Sequence, residues 1–304
     1  MKKIFPLLTL IMGTASAASL PLISNEARYC YPGTEACASL EVVSINSDDP
    51  ALNKLADELL EAQGHSFDKA GLEKLLRDGK GEKQLMPDKP EGKIDPAEKD
   101  AYDYHYRRVI NQVGESEHYR LLEKYEGFST GGAGGENGQS SYYLVSKDQP
   151  QLVKLADIVL PDQQAALDKL HKDAWLEHLK KKGGVDGKPL NDKEFKELAK
   201  IYPSSASEQW RLTKDGLVFV HPELEINEIV LGEANIDGLE ERTLEAVDLT
   251  VPAAELKDIV KPEILKEMAS WQDTPPEKDK DDMLKATAKP QWRDGEAKAG
   301  EDSK

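Results

Sequence analysis

The stretch Trp210, Arg211, Leu212, Thr213, Lys214, Asp215, Gly216, Leu217, Val218, Phe219, Val220 places an apolar run on each side of Lys214-Asp215-Gly216. An Asp-Gly pair between hydrophobic runs is a strong short-range hairpin signal. Gly216 can take a positive φ that a residue with a Cβ resists. Downstream, Val247, Leu249 and Val251 alternate with Asp248 and Thr250, the period of a half-buried strand, and Pro252 leads into a predicted helix from about Ala254. The expected fold class is therefore α+β: a small, mostly antiparallel sheet packed against helices.

Working back from the hairpin, Phe195, Leu198, Ala199 and Tyr202 recur at helical spacing and Pro203 stops them. A longer helix is expected from Asp162, with Leu167, Leu170 and Ala174 on one face and Lys180 to Lys182 before Gly183 at its end. Leu152 to Ile158 leads into it. Tyr142 to Val145 reads as a strand, Tyr119 to Phe128 fits a strand or a helix with the glycine cluster after it favouring strand, and between them Gly131 to Gly138 reads as a loop. Five glycines lie in that span, and each would weaken a regular element by up to about 1 kcal/mol. Asp95-Pro96 is expected to open a helix running to about Val113 that carries Tyr102, Tyr104, Tyr106 and Val109. Nearer the start, Leu40 to Ile45 is a candidate strand, and Asp49-Pro50 opens a helix with Leu52, Leu55, Ala56 and Leu59 on one face. Gly79 to Lys99 is rich in Lys, Glu, Asp, Pro and Gly, and reads as a flexible connection. Past about Trp271 the composition turns the same way, predicting a disordered tail to Lys304.

Met1 to Ala17 has the parts of a secretory signal: Lys2 and Lys3, the apolar run Phe5 to Met12, then Ala15-Ser16-Ala17. The run is too short to span a bilayer, which needs about 20 residues. The expected organisation is a signal peptide over 1–17, an N-terminal α+β region over 18–126, a C-terminal domain over 127–270 and the tail over 271–304. Cys30 and Cys37, the only cysteines, bracket Pro32 and Gly33, and in an oxidising compartment they are expected to form a local disulfide. With 40 Lys+Arg against 57 Asp+Glu the net charge is −17. Nucleic acid is thereby excluded as a partner, because phosphate binding needs a basic footprint.

Motifs that carry chemistry are few. Gly127-Phe128-Ser129-Thr130-Gly131 matches the Gly-x-Ser-x-Gly elbow of serine hydrolases, in which a strand delivers the serine into a sharp turn and a helix follows. Here glycines follow instead, although an envelope hydrolase using Ser129 is the alternative to a binding role. The same loop lacks the Gly-Lys-Ser/Thr ending that holds phosphates. Asp186-Gly187 matches part of a calcium loop, but Lys182 and Gly184 stand where earlier acidic ligands belong. His171 and His178 lie two helical turns apart rather than at the i, i+4 spacing of helix-borne zinc ligands. His65, His105, His118 and His221 stand isolated in the sequence. No metal and no cofactor is expected.

The order of segments resembles a known family. Thr130-Gly131-Gly132-Ala133-Gly134-Gly135, Ser140 to Val145, Leu152 to Ile158, Trp210 to Val220 and Val251-Pro252-Ala253-Ala254-Glu255-Leu256 together resemble the RsiV-like domain. That domain occurs on a lysozyme-sensing anti-sigma factor, beside some polysaccharide deacetylase modules, and in many secreted bacterial proteins. The resemblance covers about Gly127 to Met268. The family's histidine in the glycine-rich loop is Gly134 here, and Pro222 to Leu244 carries an acidic extension in place of a short turn. The resemblance implies a non-enzymatic periplasmic or secreted binding protein of the cell envelope, whose partner is a lysozyme-like cationic protein, another envelope protein or peptidoglycan. The surface expected to bind it is formed by Thr130, Gly131 and Gly132 with His221, Glu223 and Glu225, since binding is usually placed on loops of a rigid scaffold.

Overall fold

The computed structural model describes residues 19–60, 69–78, 85–90, 92–94, 99–131, 137–182, 192–201, 209–221, 224–226, 242–244 and 247–274. The predicted signal peptide, Gly132, Glu223, the Asp186-Gly187 stretch and the tail beyond Thr274 lie outside these residues.

The chain opens with a hairpin of β1 (Leu22–Cys30) and β2 (Cys37–Ile45), and the expected Cys30–Cys37 disulfide clamps its turn. Asp49 then caps α1 (Pro50–Leu59), its carboxylate accepting from the amides of Ala51 and Leu52. Pro50 sits in the first turn, where a missing N–H costs nothing. Helices α1 and α2 (Lys69–Asp78) bury Leu52, Ala56, Leu72 and Leu76 against one face of a large sheet. Because this helical crossover separates β2 from β3 (Asp103–Glu115), the two strands pair in parallel. β4 (Tyr119–Thr130) and β5 (Asn137–Ser146) follow as antiparallel neighbours, giving the order β1-β2-β3-β4-β5.

The C-terminal half adds a short α3 (Leu155–Ile158), α4 (Gln164–Lys182) and α5 (Asp192–Ile201). The predicted hairpin is β6 (Trp210–Thr213) and β7 (Gly216–His221). β8 (Leu224–Ile226) pairs with β9 (Arg242–Leu244), and β10 (Val247–Pro252) lies beside β7. The chain continues through α6 (Pro262–Ala269) to β11 (Gln272–Asp273). The α+β class holds, with β10-β7-β6 as the small antiparallel sheet expected from the hairpin. Leu121 and Leu122, adjacent on β4, face opposite ways: Leu122 joins the core under α1 and α2, while Leu121 joins a second core with Leu167, Trp175, Phe219 and Trp271. That alternation is the period-two geometry of a strand covered on both faces.

Two expected helices change. Of the helix expected from Asp95 to Val113, residues 95–98 lie outside the described residues, and from Lys99 on there is none: a 3₁₀ turn at Lys99–Tyr102 leads into strand β3. Ile110, Gln112 and Gly114 are buried at every second position, a period of two that the spacing of Tyr102, Tyr106 and Val109 masks, and flanking strands β2 and β4 reward it with paired backbone. No helix starts at Ala254. Residues 253–260 form successive turns, because the backbone at 259–261 is taken by residues 158–160: Leu160 N–H donates to Ile259 O at 2.8 Å and Lys261 N–H to Ile158 O at 2.9 Å. Within the expected flexible connection, Leu85 and Met86 are buried in the core under α2. At the far end, Trp271 is buried against Gly114, and β11 pairs with the last residues of β3, so order reaches Thr274. The expected division at 126/127 falls inside β4.

Gly216 meets its requirement by a different route from the one expected. Thr213 pairs with Gly216, so Lys214-Asp215 form the two-residue turn and the glycine opens β7 with φ 149°. A Cβ there would lie 2.0 Å from Val251 O on β10.

Candidate functional site

The register of the large sheet assembles a polar face. Arg28 pairs with Ser39, Ser39 with His105 and His105 with Ser129, so four strands contribute one cross-strand row. Two residues along each strand, Glu26, Glu41, Arg107 and Gly127 form a second row on the same side. The side chains interlock. Arg28 donates to both carboxylate oxygens of Asp103 at 3.1 Å, Ser39 Oγ and His105 Nδ1 lie 2.7 Å apart, and Arg107 and Glu41 approach to 3.4 Å. Ser24 Oγ donates to Glu41 at 3.2 Å. The opposite side of these strands carries Tyr104, Tyr106 and Phe128 in mutual ring contact, and burial pushes the Tyr106 hydroxyl up to about 12. At its other end the polar face disappears beneath the second core, where Leu121, Leu144 and Tyr142 meet the small sheet. Glu26 is exposed, as are over half the Arg28 side chain (53%) and 44% of His105.

Of the predicted site residues, Thr130 ends β4 and Gly131 follows it, its N–H donating to Asp103 O at 2.9 Å. Thr130 pairs with Tyr104, on the aromatic side of these strands, and Gly131 lies just past the strand end. His221 sits elsewhere, at the end of β7, stacked on His171 of α4. Glu225 pairs with Thr243 in the separate β8–β9 ribbon. Thr130 and Gly131 thus lie at the end of β4, His221 at the end of β7 and Glu225 in the β8–β9 ribbon.

Ser129 lies within strand β4, which ends one residue later and turns back as β5 through the glycine-rich connection. The strand-turn-helix of a nucleophile elbow is not formed there. His105 stands opposite Ser129, but its Nδ1 is engaged by Ser39. Three of the four histidines that look isolated in the sequence are partnered in space, His105 with Ser39, His118 with Glu267 and His221 with His171, while His65 lies outside the described residues. Contacts between residues 50 to 149 positions apart leave no local signal.

A cleft of about 460 Å³ runs between the outer edge of β5 and the small sheet, lined by Tyr142, Leu152, Val153, Leu155, Gln209 and Trp210. Part of the β5 edge is already occupied: Tyr142 N–H donates to Gln209 Oε1 and Val153 N–H to Leu144 O. Arg211 lies over the Tyr142 ring at 5.1 Å while pairing with Asp248. Among the described residues no group of three or more His, Cys, Asp or Glu is placed to hold a metal ion, and no helix is long and apolar enough to cross a membrane.

The fold and this face define a disulfide-clamped α+β sheet protein with a mixed-charge surface that is exposed at Glu26, Arg28 and His105. No family model and no curated protein matches the chain. Among solved structures it is similar to a DUF3298 family protein from Pseudomonas aeruginosa, at 17% identity over 81% of this chain and 96% of that one, with a TM-score of 0.44. It is also similar to a member of the DUF3298 family from Bacteroides fragilis, at 15% identity over 84% of this chain and 100% of that one, with a TM-score of 0.47.

Proposed function

We propose that this chain is an exported, non-enzymatic binding protein of the bacterial cell envelope that takes a cationic, lysozyme-like protein on the open face of its large sheet. The observation that carries the reading is the pair of cross-strand rows, Arg28-Ser39-His105-Ser129 and Glu26-Glu41-Arg107-Gly127, presented on a rigid sheet. Side chains already held by one another lose little freedom on binding, which favours recognition. Glu26, Glu41 and Asp103 give the face acidic groups, and the net charge of −17 attracts a cation from a distance. The RsiV-like order of segments supports the same class of partner, and the Cys30–Cys37 disulfide suits an oxidising compartment. Peptidoglycan is the other envelope ligand to be tested on the same face.

The test is calorimetry of the chain from Ala18 onwards with a C-type lysozyme at two salt concentrations, with a pulldown on insoluble peptidoglycan in parallel. Binding to lysozyme that weakens as salt rises supports the proposal. Retention on peptidoglycan with no lysozyme binding moves the partner to the glycan. Neither, together with labelling by a serine-reactive phosphonate that is lost in Ser129→Ala, overturns it in favour of a hydrolase.

A further inference from the structure

We infer that His171 and His221 form a proton-gated latch, which holds α4 on the small sheet at neutral pH and lets it go on acidification. The Nε2 atoms of the two rings lie 2.8 Å apart. At that distance one nitrogen donates and the other accepts, so a single proton occupies the contact. The rings are nearly parallel, with centroids 5.0 Å apart and 12° between planes. His171 is fully buried, in the stripe Leu167, His171, Trp175 and Leu179 that α4 presents inward. Phe219 lies 4.5 Å from the His171 ring and Trp175 5.3 Å from that of His221, centroid to centroid. A second proton removes the acceptor lone pair and sets two cations face to face in this apolar setting, where charge is costly.

Among the described residues, charged and titratable groups act on the contact from β10, β6 and α4. Asp248 on β10 favours a charged His221, but Arg211 on β6 pairs with that carboxylate. His178, on α4 itself, disfavours it. Burial is the largest influence on His221 and lowers its pKa. Asp248 opposes that shift, and His178 adds to it. The direction follows. A histidine with a lowered folded-state pKa contributes stability that is whole above its ordinary value of 6.5 and is lost as pH falls through the folded-state value. The loss is local, because the contact joins α4 to β7 and no residue of the α1 and α2 layer belongs to the core that contains it. An α4 freed from β7 uncovers Phe219, which is otherwise fully buried.

Hydrogen–deuterium exchange of the full chain from about pH 7.5 to about pH 4.5, corrected for intrinsic rates, tests this. Peptides from Gln164–Lys182 are expected to lose exchange protection at the acid end, while peptides from Pro50–Leu59 stay protected. The acid response of α4 is expected to vanish in His221→Gln, and in His171→Gln should the first variant not fold. The wild type decides by itself if neither folds. Flat exchange of α4 across the range overturns the latch, and so does opening of α1 in step with α4, which marks global acid unfolding.

Discussion

His118 and Glu267, 149 residues apart in sequence, join the tip of the β3–β4 hairpin to α6 by two hydrogen bonds. His118 Nδ1 lies 2.7 Å from Glu267 Oε1, and the His118 backbone N–H donates to Oε2 at 3.1 Å. The hydrogen bond to Glu267 holds the His118 pKa above its ordinary value. Burial pushes the Glu267 carboxyl up, but hydrogen bonding with its neighbours, His118 among them, outweighs that and leaves it below the usual range. His118 therefore contributes stability that is whole below 6.5 and is lost as pH rises through its raised folded-state value. Glu267 contributes stability that is whole above 4.5 and is lost as pH falls through its lowered value. The pair is expected to be at full strength between those limits. Urea denaturation from about pH 4 to about pH 9 checks this: the difference between wild type and Glu267→Gln should be largest in that window and shrink on both sides.

Gly216→Ala is expected to destabilise by at least about 2 kcal/mol, since it combines an unfavourable φ with a collision against backbone. The φ is 149° and Val251 O stands 2.0 Å from the new Cβ. Gly33→Ala is the comparison. Its φ is 76° with nothing within 4 Å of the added atom, so only the backbone preference is lost, about 1 kcal/mol. Denaturant midpoints for the two variants should differ in that order.

Trp271→Ala should cost about 3–5 kcal/mol, the range for removing a buried aromatic side chain. The indole is 6% exposed, lies against Gly114 and donates from Nε1 to Asp273 Oδ1 at 3.1 Å. Amides at Gly114 and Glu115 should lose exchange protection with it, because β11 pairs there. Unchanged protection at those amides would contradict the packing described.

Replacing Cys30 and Cys37 with alanine removes a cross-link between residues 7 apart. The expected loss is about 2.5 kcal/mol in the chain-entropy account of disulfides. Thermal denaturation of the double variant, compared with the oxidised wild type, measures it.

For the proposed partner, Glu26→Lys should weaken lysozyme binding by about 2- to 5-fold at low salt, the effect of one exposed charge, and by less at high salt. Glu26 is exposed at the edge of the polar face, so the substitution tests charge with little effect on folding.

The parts legible in the sequence are those whose signal is local. Gly216 between apolar runs, the alternation of Val247, Leu249 and Val251, and Asp49-Pro50 before Leu52 and Ala56 each mark an element where the structure has one. Two cysteines seven positions apart are enough to predict their bond. Asp95 to Val113 misleads because tyrosines and valines there satisfy a helical spacing as well as an alternating one, and only the neighbouring strands decide. The stretch after Pro252 misleads because residues 158–160 supply its backbone partners from nearly 100 positions away. The cross-strand rows of the candidate face leave no local signal. Arg28, Ser39 and Asp103 are unremarkable residues in sequence, and a parallel register between β2 and β3 is what sets them beside His105.

β11 also constrains how the molecule is made. It occupies the side of β3 that β2 leaves vacant, pairing at Gly114 and Glu115 where β2 reaches only as far as Val109. The longest strand of the large sheet is thus completed by nearly the last described segment of the chain. During synthesis from the N-terminus, the β1–β2 hairpin and the helices above it can pack early, yet β3 keeps an unpaired edge until Asp273 emerges. The contact that completes this edge therefore forms only after most of the chain has been made.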